Sequence, residues 1–323
     1  MELAKRPLWA PLGIRESKVS VNFMSLSNIG VEVTGLDLAR LSDAATRKAL
    51  YEAWLEHGVL LFRGLGTSPD IHRDLSRCFG PLEEQDEIFP ALRVEGETAL
   101  INITRPEMSM GPSYYIDGRL LSGVTFWHQD TMFDTTVCKG GMLRMIEPAK
   151  VGGETAWVDT VKVYESLPES MRSKLDSLEV RHRFRVDLTG IPFGLPASTR
   201  EASQEEAPFE RAPMPSPPDV IHPLVSTHPE TGKKSLSISP QTLVQVIGME
   251  KAQSDKLLSE LVDYSLRDDY KMTHRWGVND MVVWDNRRTM HAGLGFPPDQ
   301  RRFAQRTTLA GGIRSGRIYE EAA

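Results

Sequence analysis

The chain has 323 residues, of which 40% are hydrophobic and 25% are charged, and its formal net charge is −6 at pH 7. This is the composition of an ordinary globular protein with enough apolar side chains to form a core, which excludes a wholly disordered chain. An isoelectric point near 5.8 also argues against the broad basic surface of a nucleic-acid binder. We therefore expect no nucleic-acid partner.

Membrane and secretory segments are not predicted either. No apolar stretch approaches the roughly 20 residues that a membrane-spanning helix requires. The charged start, residues 1–7, lacks the apolar core of a signal peptide. The two cysteines, Cys78 and Cys138, are too few for a disulfide framework, and we expect both to be buried. The sequence thus predicts a cytoplasmic protein with no membrane contact.

The N-terminal part alternates strand and helix signals. Apolar and polar residues alternate in the first predicted strand, and a continuous apolar run marks the second. A proline in the first turn opens the second predicted helix. The predicted elements are a strand at residues 31–36, a helix between a Ser42 cap and Gly58, a strand at residues 59–62, and a helix from Pro69 to about residue 80.

Strand signals dominate the rest of the chain. Two long stretches of weak signal, residues 82–121 and 190–218, are predicted to be lid or insertion segments. We therefore expect a single domain, residues 1–323, that is mostly β with helical additions and has a β-sandwich or jelly-roll core. The other predicted elements are strands at residues 124–127, 281–284 and 303–309 and a helix at about residues 249–267.

The motif Trp127-His128-Gln129-Asp130 carries the clearest chemical signal. Alternate residues of a strand face the same side, so His128 and Asp130 can direct a nitrogen and an oxygen to one point. By themselves they form a hydrogen-bonded pair without a metal more often than a metal site. With His291 as a third ligand they would form the facial triad of non-haem Fe(II) oxygenases. Zinc accepts the same ligand types, so the ligands alone do not identify the metal.

Two arginines follow His291 in a predicted strand. Arg302 and Arg306 are separated by an even number of residues, so we expect them to share one face and to bind carboxylates or a sulfonate. Arg301 is expected to lie on the surface.

Five stretches together resemble the taurine/2,4-dichlorophenoxyacetate dioxygenase (TauD/TfdA) family, whose members depend on Fe(II) and 2-oxoglutarate. Their order and spacing are more specific than any one of them, and they extend over nearly the whole chain. The stretches are residues 57–64 (HGVLLFRG), 127–130 (WHQD), 152–157 (GGETAW), 222–232 (HPLVSTHPETG), and 284–306, which begins with WDNR and contains His291, Arg302 and Arg306.

The resemblance implies a fold, a site and cofactors. The fold would be a double-stranded β-helix, which is a jelly roll. His128, Asp130 and His291 match the iron ligands of the family. Arg302 matches the arginine that binds the distal carboxylate of 2-oxoglutarate, and Thr155 matches the threonine that assists it. The cofactors would be Fe(II), 2-oxoglutarate and O2.

The expected substrate is a small molecule with a carboxylate or another anion, bulkier and more apolar than taurine. Arg306 matches an arginine that reaches the substrate's acid group, although an internal carboxylate or 2-oxoglutarate could neutralise it instead. No histidine follows Phe79-Gly80 as in the taurine enzyme, and Val124 stands where that enzyme has an asparagine. Tyr114 and Tyr115 lie in a poorly matching segment, which either forms a wall of the substrate site or is only a surface insertion.

Three other functions are compatible with parts of this pattern. A halogenase of this fold would lack Asp130, and a zinc hydrolase would not need Arg302. A non-catalytic jelly-roll binding protein would not keep the triad, Arg302 and Thr155 together. We therefore predict a dioxygenase that hydroxylates its substrate, with cleavage or desaturation as further outcomes, and that forms a dimer or tetramer. His222 and His228 are expected to be structural.

Overall fold

The computed structural model describes residues 21–66, 68–84, 94–103, 111–185, 190–208 and 216–321. Within these residues the chain is mostly β, as predicted, and its two largest sheets pack face to face. No helix in this part of the chain is long and apolar enough to cross a bilayer. The expectations for residues 1–7 lie outside the described residues.

The larger sheet has seven strands. All neighbouring strands are antiparallel except β2 and β3, which are parallel. In sheet order the strands are β1 (Asn22–Ser25), β2 (Val31–Thr34), β3 (Val59–Phe62), β16 (Met281–Asp285), β7 (Gly140–Glu147), β18 (Phe303–Leu309) and β4 (Ile101–Ile103).

The second sheet has six strands and carries two of the predicted metal ligands, since His128 ends β6 and His291 lies in β17. All its neighbouring strands are antiparallel. In sheet order the strands are β10 (Arg200–Glu201), β5 (Tyr114–Ile116), β6 (Arg119–His128), β17 (Thr289–Phe296), β8 (Thr155–Asp159) and β15 (Lys271–His274).

Two smaller sheets and the helices cover this sandwich. The four-stranded sheet runs β14 (Leu243–Val246), β9 (Glu179–His182), β11 (Val220–Pro223) and β19 (Arg317–Ile318), and the two-stranded sheet pairs β12 (Val225–Thr227) with β13 (Lys234–Leu236). The α-helices are α1 (Ala44–His57), α2 (Pro69–Ser76), α3 (Thr160–Ser166), α4 (Glu169–Leu175) and α5 (Lys251–Ser265).

Tryptophans fill the space between the two large sheets. Trp157 of β8 and Trp284 of β16 are almost completely buried, and their ring centroids lie 6.2 Å apart. Met145 and Ala304 complete this cluster from the seven-stranded sheet. Burial of such large side chains contributes on the order of 25 cal/mol per Å² of apolar surface, so this layer holds the sheets together.

Helix α1 packs on the outer face of the seven-stranded sheet through Leu50 and Trp54. It ends as predicted at Gly58, which adopts a left-handed φ of 75°. The predicted cap at Ser42 is wrong by one position: the N-cap is Asp43, whose carboxylate instead binds Arg40 at 2.7 Å. Both cysteines are buried, which confirms that expectation.

The two predicted insertion segments meet each other in the structure. Residues 85–93, 104–110 and 209–215 of these segments lie outside the described residues. In the described part, β10 pairs with β5, and the backbone N–H of Ala202 donates to the carbonyl of Ser113 at 2.9 Å. The segments are therefore joined by main-chain hydrogen bonds on the edge of the sheet that carries His128.

Candidate active site

The structure brings the three predicted metal ligands together. His128 and His291 face each other across the β6–β17 ladder, with ring centroids 4.2 Å apart. Asp130 follows the end of β6, with its Oδ1 3.6 Å from His128 Nε2 and its Oδ2 3.9 Å from His291 Nε2. One ligand atom from each residue lies within 4.8 Å of the other two. This spacing suits a single metal ion.

The orientation of His128 and the protonation of His291 also suit a metal. His128 Nδ1 faces the carbonyl oxygen of Phe126, so it carries the proton and leaves the Nε2 lone pair directed at Asp130. Burial, and next the neighbouring His128, lower the pKa of His291 well below its ordinary value. The His291 ring therefore offers a neutral nitrogen, the form that binds a metal. With the Asp130 carboxylate this donor set fits Fe(II).

Asp130 is also the partner of Arg306, which reaches it from β18 in the opposite sheet. Arg306 Nη1 lies 3.0 Å from Oδ1 of Asp130, and Nη2 lies 2.8 Å from Oδ2. Burial alone would raise the pKa of Asp130, but Arg306 and then His291 outweigh it and hold that pKa well below its usual range. In this structure an internal carboxylate therefore neutralises Arg306, which was one of the alternatives expected from the sequence.

Two residues of the WDNR motif contact Asp130, and the sequence reasoning assigned neither a role. Trp284 Nε1 donates to Oδ2 of Asp130 at 3.3 Å, and the Asn286 side chain bonds to the backbone of Asp130. The signal available in the sequence was the motif itself, which contributed to the resemblance but did not reveal these contacts.

Arg302 lies just before β18 and is buried. Its Nε donates to the carbonyl oxygen of Gly153 at 3.2 Å. Burial lowers the pKa of Arg302 to about 10, against the opposing effect of Glu154. Its guanidinium is therefore still a cation at neutral pH, and a buried cation of this kind favours a bound carboxylate.

Arg302 immediately precedes β18, which begins at Phe303 and contains Arg306. The shared face of the two arginines stays a prediction. Both guanidiniums are directed at residues of the second sheet or its flanking loops, since Arg302 donates to Gly153 and Arg306 to Asp130. Arg301, whose side chain is 60% exposed beside Glu147, is on the surface as predicted.

Thr155 shares a sheet face with His291. In the β8–β17 ladder Thr155 pairs with Gly293 and Trp157 pairs with His291, and residues at such alternate pairs point to the same side. Trp276 Nε1 donates to Thr155 Oγ1 at 3.0 Å. Because an indole N–H only donates, the Thr155 oxygen accepts this bond and its own proton can be donated to a carboxylate.

The predicted substrate residues separate into two environments. Tyr114, only 2% exposed, packs edge-on against Phe126, with ring centroids 5.6 Å apart. Val124 and Ile191 belong to the same apolar cluster. Tyr115 is elsewhere: the guanidinium of Arg200 lies 3.9 Å from the centroid of its ring. The structure thus groups Tyr114 with Val124 but not with Tyr115.

Two other histidines have structural contacts. His228 Nδ1 accepts from the backbone N–H groups of Glu230 and Thr231, so its Nε2 donates to Asp285 at 3.0 Å. His222 Nε2 donates to the carbonyl of Asp134 at 2.9 Å.

The family model for "Taurine catabolism dioxygenase TauD, TfdA family" matches residues 22–308. The chain belongs to this family. The predicted jelly-roll core is confirmed, and the protein is a 2-oxoglutarate-dependent dioxygenase whose cofactors are Fe(II), 2-oxoglutarate and O2.

Individual proteins are also similar to this chain. The chain is 30% identical over 287 residues to an (S)-phenoxypropionate/alpha-ketoglutarate-dioxygenase of Sphingobium herbicidovorans, covering 88% of this chain and 93% of that protein. It is 29% identical over 290 residues to an alkylsulfatase of Acinetobacter baylyi, covering 89% and 84%. The crystal structure of a taurine dioxygenase from Burkholderia xenovorans matches with a TM-score of 0.72 at 25% identity, covering 94% and 96% of the two chains.

Proposed function

We propose that this dioxygenase hydroxylates a small organic acid that is bulkier and more apolar than taurine. The observation that carries the proposal is a pair of arginines, Arg302 just before β18, which is buried, and Arg306 within β18, which is partly buried. Arg302 lies at the Gly153 turn next to Thr155, and Arg306 lies at the carboxylate of the His-Asp-His cluster. Two separate cations shielded from solvent suit a reaction in which two anions, a cosubstrate and a substrate, come to one metal.

His128, Asp130 and His291 would hold the iron. Fe(II), with 2-oxoglutarate and O2, supplies the oxidising chemistry when bound. The protein would place the substrate and keep water away from it. The buried tryptophans around the site serve this second role, since Trp284 lies against His291 with ring centroids 4.8 Å apart.

Arg302 and Thr155 would bind the distal carboxylate of 2-oxoglutarate. The guanidinium supplies charge, and the Thr155 hydroxyl supplies a directed proton. The Trp276 bond to Thr155 Oγ1 fixes the orientation of that hydroxyl before the cosubstrate arrives.

Arg306 would anchor the acid group of the substrate, sharing its charge with Asp130. With a metal bound, the Asp130 carboxylate would carry less net negative charge, so its attraction for the Arg306 guanidinium would be weaker. Arg306 would then be a better partner for a second anion. The anionic substrate named for the phenoxypropionate relative is consistent with this role.

The apolar character of the substrate is inferred from the cluster around Tyr114. Val124, Phe126 and Ile191 present no charge there, and burial of apolar surface against them would favour an aromatic or branched aliphatic acid. Because Ile191 comes from one insertion segment and Tyr114 from the other, we propose that the described parts of these two segments form this wall together. Tyr115 would stabilise the wall through Arg200 rather than touch the substrate.

The test is a screen for substrate-stimulated succinate release from 2-oxoglutarate by the Fe(II)-loaded enzyme. Aryloxyalkanoic and branched aliphatic acids are compared with taurine and with the methyl ester of each acid. We expect at least tenfold more succinate with the best apolar acid than with taurine or with its own ester. Taurine as the best substrate would contradict the apolar wall, and equal rates for acids and esters would contradict recognition through an anion.

A further inference from the structure

The third metal ligand is positioned differently from the two histidines. The β6–β17 ladder itself sets His128 opposite His291. Asp130 comes after the last residue of β6, and the next residue, Thr131, turns away with a left-handed φ of 55°. The ladder therefore does not extend to Asp130, and something else must hold its backbone in register with His291.

The side chain of Asn286 takes the place of a neighbouring strand at this point. Its Oδ1 accepts from the backbone N–H of Asp130 at 2.8 Å, and its Nδ2 donates to the backbone carbonyl of Asp130 at 2.9 Å. The same Nδ2 donates to the carbonyl of Cys138 at 3.1 Å. Asn286 is completely buried, so no water competes for these bonds.

The backbone of Asn286 extends the connection. Its carbonyl accepts from Nε2 of Gln129, the residue between the two ligands of the motif, at 3.0 Å. Asn286 itself lies in the turn between β16 and β17, a few residues before His291. One residue thus connects the loop of Asp130 to the strand of His291.

The turn that holds Asn286 is itself fixed. The Asp285 carboxylate accepts from His228 and from the backbone N–H of Arg287, each at 3.0 Å. The Thr289 hydroxyl donates to the backbone carbonyl of Asp285 at 2.8 Å. Since these groups are buried, the Asn286 amide is presented to Asp130 from a rigid support.

We propose that Asn286 is a positioning residue that sets the affinity of the site for its metal by fixing Asp130 relative to His291. The inference rests on the assignment of His128, Asp130 and His291 as metal ligands made under the proposed function. Outer residues that orient metal ligands typically contribute 10–100-fold to metal affinity, roughly the size of effect expected here.

The experiment measures metal affinity in the metal-free enzyme, independently of turnover. Mn(II) is titrated anaerobically into the wild type, Asn286→Ala and Asn286→Ser, followed by the electron paramagnetic resonance of the free ion. We expect the dissociation constant to rise at least tenfold in both variants. Ser is included because its hydroxyl preserves polarity at the position but reaches at most one of the two Asp130 groups, so it carries the test if Ala does not fold.

Asn102→Ala is the matched control. Asn102 is also a buried asparagine, but it bonds to Gln305 on β18 and not to the ligands. We expect a lower melting temperature with an unchanged Mn(II) affinity. If both Asn286 variants bind Mn(II) within twofold of Asn102→Ala, the positioning role is overturned.

His128→Ala separates this failure from failure of the metal site itself. It should lose Mn(II) binding altogether. If His128→Ala binds as tightly as the wild type, the triad assignment falls and takes the Asn286 proposal with it. If only His128→Ala loses binding, the triad stands and the role of Asn286 does not.

Discussion

Arg306 and Asp130 form a two-point ion pair across the sandwich, with N–O distances of 3.0 and 2.8 Å. Both carboxylate oxygens are engaged by the guanidinium, and both are also within 3.9 Å of a histidine Nε2. The Asp130 carboxylate, the proposed metal ligand, is therefore part of the charge balance of the metal-free folded protein. This has consequences for stability as well as for catalysis.

Removing the ligands one at a time should separate these two roles. We expect His128→Ala and His291→Ala to abolish turnover and metal binding with little change in the unfolding of the metal-free protein. Asp130→Ala should also abolish turnover, but it leaves Arg306 without its buried partner, and such losses cost about 3–5 kcal/mol. Urea unfolding of the metal-free variants measures the difference. Near wild-type oxygen consumption in any of the three would show that the triad is not the catalytic metal site.

Arg302 should govern cosubstrate affinity. A charge-assisted bond to a buried carboxylate contributes about 1.5–3 kcal/mol, and a loss near 2.8 kcal/mol corresponds to about a hundredfold in affinity. We therefore expect Arg302→Ala to raise the KM for 2-oxoglutarate by about two orders of magnitude. Arg301→Ala, a change at an exposed neighbour, is the control and should stay within twofold. Comparable effects of the two substitutions would rule out a specific cosubstrate contact at Arg302.

The variant Arg306→Gln should show whether Arg306 binds the acid group of the substrate or only pairs with Asp130. An anchor predicts at least a tenfold rise in the KM of the organic acid and less than a threefold change in the KM for 2-oxoglutarate. Steady-state kinetics with each compound varied in turn measures both constants. Weaker Mn(II) binding with an unchanged substrate KM would contradict the substrate-binding role. It would mean that Arg306 only holds Asp130 in place.

His72 should make the fold sensitive to mild acid. It is fully buried in α2, with Nε2 3.2 Å from the carbonyl of Met142, and burial lowers its pKa to about 3. Above the unfolded pKa of about 6.5 the ring is neutral in both the folded and the unfolded state. As the pH falls from 6.5 towards 3, only the unfolded chain binds this proton, so the free energy of unfolding decreases by up to about 1.4 kcal/mol per pH unit.

We expect the unfolding free energy of the metal-free protein to fall between pH 6.5 and 5, and His72→Gln to reduce that slope. The slope should not vanish, because burial also lowers the pKa of His182 well below its ordinary value. Urea unfolding across this pH range is the measurement. An identical slope in the variant would mean that His72 is not held neutral by the fold.

The sequence predicted the helices and strands whose position is set by residues close together in the chain. The apolar runs of β3 and β16 and the glycine end of α1 were found where expected. Strand β7 was not predicted, because it begins with Gly140 and Gly141, which weaken a strand in isolation. A Cβ on Gly141 would lie 2.5 Å from the Trp284 ring. These glycines are needed for a packing contact between strands, which local sequence does not reveal.

The candidate site also has a part that the sequence predicts and a part that it does not. His128, Asp130 and His291 could be predicted as candidate ligands because metal chemistry restricts ligands to a few residue types. The contacts of Asp130 with Asn286 and Arg306 could not, since they join residues 156 and 176 positions apart in the chain. Only the sandwich of two sheets brings those residues together.

The Gly153 turn determines when the conformational freedom of Arg302 is lost. Gly153 has a left-handed φ of 76°, and a Cβ there would lie 3.1 Å from Arg302 Cδ, so the arginine lies against bare backbone. An arginine side chain carries about 2 kcal/mol of rotamer entropy. Because this packing already restricts the Arg302 side chain when the protein folds, binding of a carboxylate does not have to pay that loss of rotamer entropy.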